Sequence, residues 1–106
     1  MSKYLYRLRY THSGLEGSMK EGFAVREKYF RERVASTGGT TETAYWAVGE
    51  DDVIIIVDFP DLTTAAGFAL ALARTGSFNV ATTVLLTAQE MDAGAAKSPG
   101  YRAAGS

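Results

Sequence analysis

Cysteine is absent from the 106 residues, which excludes disulfides, thiolate metal sites and thiol catalysis. Histidine occurs once, at His12, so no transition-metal site is expected. Charge of one sign is not in excess: 11 basic and 12 acidic side chains leave a net of −1, which gives no reason to expect a polyanion as partner. The apolar run Val53–Val57, like every other in the chain, is far too short to cross a bilayer. No signal-peptide pattern is present, so the expected compartment is the cytoplasm and no membrane partner is expected. No glycine-rich phosphate loop follows a strand and no Ser–His–Asp set is indicated, so no cofactor is expected either.

What is present describes a globular chain. A hydrophobic content of 46% with 22% charged residues is that of one small domain with one modest core. Lys3 to Tyr10 alternates, with Tyr4, Tyr6, Leu8 and Tyr10 on one face, and reads as a strand. Thr11–Gly14 reads as a turn that caps the next element. From Leu15 to about Thr37 the spacing is helical, with Leu15, Met19, Phe23, Phe30 and Val34 in a stripe. Gly38-Gly39 ends it. Thr40 to Val48 and Val53 to Phe59 read as two further strands joined by the hairpin Gly49-Glu50-Asp51-Asp52.

Pro60-Asp61 opens a second helix to about Arg74, whose expected core stripe is Leu62, Ala66, Ala69, Leu70 and Ala73. Phe78 to Leu86 reads as a fourth strand. Thr87-Ala88-Gln89-Glu90 fits a capping box for a short last helix to about Lys97. Residues 1–97 are thus the domain, and 98–106 are expected to be a flexible tail.

The order is that of an α+β, ferredoxin-like βαββαβ(α) fold with an antiparallel sheet, order 4-1-3-2. Both helices then cover one face. Ile54-Ile55-Ile56 is apolar at both parities, so the other face would be an exposed apolar patch. Pairing of two sheets into a dimeric α/β barrel, a homodimer or higher oligomer, is the expected remedy. Residues 1–38 carry eight basic and four acidic side chains, whereas 39–62 carry six acidic and none basic. The sheet order brings these segments together, so internal complementarity is the expectation. The third strand lacks the basic, glycine- and aromatic-bearing signature of RNA-recognition motifs, so no nucleic acid is expected.

In these elements the chain resembles the GYD-domain family. The resemblance is carried by Tyr10-Thr11 with Gly14, Arg26, Gly38-Gly39, Tyr45-Trp46, Gly49 through Asp52, Pro60-Asp61, Gly76 and Thr87-Ala88-Gln89-Glu90-Met91. It covers about residues 3–92 and implies membership of the dimeric α/β barrel superfamily. Asp51 stands where the name-giving motif has its tyrosine. The resemblance implies no particular activity.

Arg26 is the residue most suggestive of a site. Leu15, Met19, Arg26, Phe30 and Arg33 fall within about 60° on one helix face, which steers Arg26 toward the sheet. An unpaired guanidinium there would cost several kcal/mol. Two readings are open: an ion pair with Asp52 or Asp58 (or snorkelling to the rim), or a place in a cleft where Arg26 holds an anionic or carbonyl oxygen of a ligand. Arg33, nearer the helix end, is expected to reach water. Tyr6 and Tyr45 are further ligand-binding candidates through their hydroxyls. Tyr45 and Trp46 must point to opposite faces, and parity does not say which enters the cleft. His12 is the candidate catalytic base, an exposed loop histidine being the alternative.

The leading expectation is a domain that binds a small, partly apolar organic molecule between helices and sheet. One alternative is a cofactor-independent enzyme of isomerase, cyclase or oxygenase type in the same cleft. A third is a structural or partner-binding subunit.

Overall fold

A computed structural model describes residues 1–106. The chain runs β1 (Ser2–Tyr10), α1 (His12–Glu21), α2 (Phe23–Ser36), β2 (Thr40–Trp46), β3 (Val53–Phe59), α3 (Leu62–Ala73), β4 (Phe78–Leu85) and α4 (Ala88–Ala96). The four strands form one antiparallel sheet in the order β2-β3-β1-β4, the expected 4-1-3-2 ferredoxin-like arrangement.

Alternation decides which way each strand faces. On β1, Tyr4, Tyr6 and Leu8 are buried; on β3, Val53, Ile55, Val57 and Phe59 are. The register sets Tyr6 beside Ile55 and Leu8 beside Val53, so these side chains share one face. Val34 of α2 and Ala65 and Phe68 of α3 close over it as one core cluster. Phe68 meets the rings of Tyr6, Phe59 and Phe30 at 5.9, 5.4 and 5.2 Å between centroids, within the range of favourable aromatic pairs.

The opposite sheet face carries no helix. Leu5, Ile54 and Ile56 are half-buried there, with Leu5 paired to Ile56 and Arg7 to Ile54. The segregated charges do meet across it. The Lys3 ammonium lies 2.9 Å from Glu42 and 3.0 Å from Asp58, and Arg7 lies 3.8 Å from Asp51. Glu42 and Asp58 hold the Lys3 ammonium above its ordinary pKa, chiefly through the hydrogen bond to Glu42.

The expected first helix is in fact two. Gly22, at φ 106°, ends α1 by donating its N–H to the Ser18 carbonyl at 2.8 Å, and the chain restarts as α2. That φ is open to glycine and strained for other residues. The break resets the helical phase, so Leu15 and Met19 leave the expected stripe and are 38% and 61% exposed. Gly14 and Ser18 are the buried residues of α1 instead. Gly14 is not in a turn but in the first turn of that helix. Thr11 accepts from the Gly14 N–H at 3.2 Å and donates to the Gly76 carbonyl at 2.7 Å. A Cβ at Gly14 would overlap the Ser77 carbonyl, so glycine is what lets α1 approach the start of β4.

The expected phase of the later helix is also corrected. α3 buries Ala65 and Phe68, with Ala69 and Leu72 half-buried, while Leu62 and Leu70 are 62% and 68% exposed. Apolar residues surround this helix, so periodicity could not choose its face. The bulk of Phe68 does, filling the space between Tyr6, Phe30 and Phe59.

α4 is started by the expected capping box: Glu90 N–H donates to the Thr87 hydroxyl at 3.1 Å, and Thr87 N–H to the Glu90 carboxylate at 2.9 Å. None of its residues is buried. The radius of gyration is 16.8 Å, against about 13 Å for a compact chain of this length. α4 and the residues after it account for the difference by extending from the body. No helix is long and apolar enough to cross a membrane.

Candidate functional site

Between α2, α3 and the sheet lies a cavity of about 450 Å³, the size of a small-molecule site. Leu8, Val53 and Ile55 form its floor, with Phe30 and Phe68 on the walls. α3 borders it with the small residues Gly67 and Ala71, both also exposed to solvent. A Cβ added at Gly67 would meet nothing within 4 Å. The small residues of α3 at the cavity are Gly67 and Ala71, not the alanines of the expected stripe.

An aromatic cluster closes one end. Trp46 donates its indole N–H to the Tyr10 hydroxyl at 2.9 Å. Phe23 sits against both rings, at 6.1 Å from Trp46 and 6.5 Å from Tyr10, and Phe78 lies 5.4 Å from Tyr10. Parity is thereby resolved: Trp46 enters the cleft and Tyr45 takes the helix-free face, 69% exposed. The bulge between Thr41 and Thr43 sets this, shifting the register of β2 by one before Ala44 and Trp46.

Arg26 borders the cavity as its helical position predicts. Its partner is neither Asp52 nor Asp58. Asp58 is taken by Lys3, and the Asp52 carboxylate accepts the Tyr10 N–H at 2.8 Å. Arg26 instead bonds Glu21 at 3.0 Å with its side chain 35% exposed, and its guanidinium lies 4.8 Å from the Tyr29 ring centre. Glu21, the last residue of α1, reaches it because the chain turns at Gly22. The break thus supplies the counter-charge as well.

The other expected site residues fall elsewhere. Tyr6 is fully buried beneath α3 and donates its hydroxyl to the Ala65 carbonyl at 2.6 Å. Burial, with a smaller contribution from Tyr4, pushes its phenol up to about 12. It holds the core together and does not line the cavity. Tyr45 lies behind the sheet. His12 is the first residue of α1, exposed and outside the lining, so it is not placed to move a proton at a molecule inside. The structure therefore brings only Arg26 of the four to the cavity.

Residues not named as ligand-binding candidates stand there instead. Trp46 and Tyr10 form the polar-edged aromatic end, and Ser18, Thr64, Thr75 and Ser77 add hydroxyls to the lining. Arg33, expected to reach water only, borders the cavity too. Its spacing was the signal: residue 33 follows 26 by seven, nearly two full turns, so both share one helix face.

A family model described as GYD domain matches residues 4–95. Comparison with curated proteins and with solved structures finds no match.

Proposed function

The chain belongs to the GYD-domain family, and from the cavity in its fold we propose that it is a binding domain for a small, partly apolar organic molecule held between α2, α3 and the sheet. The observation that carries this reading is the cavity of about 450 Å³ itself, lined by Phe30, Phe68 and Trp46 and left unfilled by the chain's own side chains. An apolar body lies against the rings and Ile55, and its polar end faces the arginines of α2.

On the same reading two copies pair through the helix-free sheet face, where Leu5, Ile54 and Ile56 form an apolar row. Covering such a row is the ordinary reason for sheets to pack face to face.

Fluorescence titration with N-phenyl-1-naphthylamine, an uncharged apolar probe, tests the binding reading. The wild type takes up the probe, and Ala71→Trp, which fills the cavity, abolishes uptake while the circular dichroism is unchanged. Equal uptake by the two proteins would show that the cavity is not the site.

A further inference from the structure

We infer that the ligand is an amphiphilic organic anion, a carboxylate, sulfate or phosphate ester on an aromatic or aliphatic body, and that Arg33 holds its anionic group. This rests on the binding reading above and adds the ligand's charge and the residue that meets it.

Most of the charge at the cavity is already neutralised within the chain. Arg26 is bonded to Glu21 at 3.0 Å and lies over Tyr29. An anion approaching it would meet the Glu21 carboxylate at the same place, and like charges there oppose binding. Glu27, the one carboxylate in the lining, is bonded to Arg31 at 2.9 Å on the next turn of the helix. Arg33 takes part in none of the chain's ion pairs. The charges around the mouth therefore cancel in pairs and leave one guanidinium over.

Position agrees with charge. Seven residues place Arg33 about 10 Å along the helix axis from Arg26. The aromatic end, Tyr10 with Trp46 and Phe23, gathers around the start of α2, and Arg33 stands near its finish. Phe30 lies between the two arginines on the cavity wall. An elongated molecule with its apolar part against Trp46 and Phe30 directs its far end to Arg33. A guanidinium matches a carboxylate, sulfate or phosphate with two parallel N–H donors. Because Arg33 is exposed, a bound anion keeps part of its hydration, and no cation has to be buried in the empty state.

Two probes of closely similar shape separate this from the binding reading itself. N-phenyl-1-naphthylamine is uncharged, and 8-anilinonaphthalene-1-sulfonate carries one sulfonate. They are titrated into wild type, Arg33→Gln, Arg33→Lys and Arg26→Gln. The wild type is expected to bind both. Arg33→Gln is expected to weaken the sulfonate about five- to tenfold, the loss of one partly solvated charge-assisted contact. The same variant changes the uncharged probe by less than about twofold, and Arg33→Lys recovers part of the loss because the charge returns without the fork.

Arg26→Gln frees Glu21 to repel and is expected to weaken the sulfonate less than Arg33→Gln does. If Arg33→Gln leaves sulfonate affinity unchanged while the uncharged probe binds, the assignment of Arg33 is overturned and the cavity reading stands. If Arg26→Gln causes the larger loss, Arg26 is the anchor and the inference is wrong. If neither probe binds the wild type, the cavity reading fails and takes this one with it.

Discussion

The Tyr6 hydroxyl donates to the carbonyl of Ala65 at 2.6 Å, joining the middle of β1 to the first turn of α3. Both residues are buried. The contact fixes the helix over the sheet at one end, while the cavity opens farther along at Gly67 and Ala71. It also explains why a tyrosine that sequence reasoning assigns to a ligand belongs to the core. Tyr6→Phe is expected to lower unfolding free energy by about 1 kcal/mol, the worth of one buried neutral hydrogen bond, and to leave probe affinity unchanged. Urea unfolding and titration on the same sample check both halves.

Gly22 both separates α1 from α2 and brings Glu21 back to Arg26. Alanine at φ 106° is strained, and Gly22→Ala is expected to cost about 1–3 kcal/mol. If the two helices were free to merge into one, the same change would stabilise the protein by improving helix propensity. A rise in the urea midpoint would therefore show that the break is not held by the fold.

Acid should weaken the start of α3. The Asp61 carboxylate accepts hydrogen bonds from the hydroxyl and N–H of Thr64 and the hydroxyl of Thr63, and these hold it below the usual carboxylate range. A carboxyl with a folded pKa below its unfolded value stabilises fully above the unfolded value, about 3.9, and loses that contribution as pH falls through the folded one. Stability should therefore drop below about pH 4, and the drop should be smaller in Asp61→Asn. Glu90 is lowered in the same direction, chiefly by the Thr87 N–H. Because α4 buries none of its residues, that change should appear as lost helicity of α4, with little effect on the global unfolding midpoint.

If the helix-free face pairs two copies, a charge in its centre should separate them without unfolding either. Ile56→Lys is expected to convert a dimer to a monomer of 11.4 kDa in sedimentation equilibrium. A wild type that sediments as a monomer at micromolar concentration would contradict the pairing.

The first strand was legible because period-two alternation is written directly in Tyr4–Tyr10, and the apolar outer face because Ile54-Ile55-Ile56 is apolar at both parities. Helix phase was legible only where polar residues mark one side. In α3, Leu62, Ala66 and Leu70 form as good a stripe as Ala65, Phe68 and Leu72, and the choice rests on packing around Phe68. Gly22 sits in a run of helical spacing that also holds Gly17, so its positive φ has no local signature. Arg26 and Arg33 share one face, and the sequence placed the first correctly. What it could not show was Glu21 folding back on Arg26, which depends on the turn at Gly22. The orientation of Tyr45 and Trp46 depended on a bulge that neither residue announces.

The central claim is that an apolar molecule enters between the helices and the sheet, and the protein has a second apolar surface to compare it with. Amide chemical-shift mapping with N-phenyl-1-naphthylamine discriminates the two. Shifts are expected at Leu8, Ile55, Gly67, Ala71 and the Trp46 indole N–H. Shifts confined to Leu5, Tyr45, Ile54 and Ile56 would place the molecule on the outer sheet face and contradict that claim.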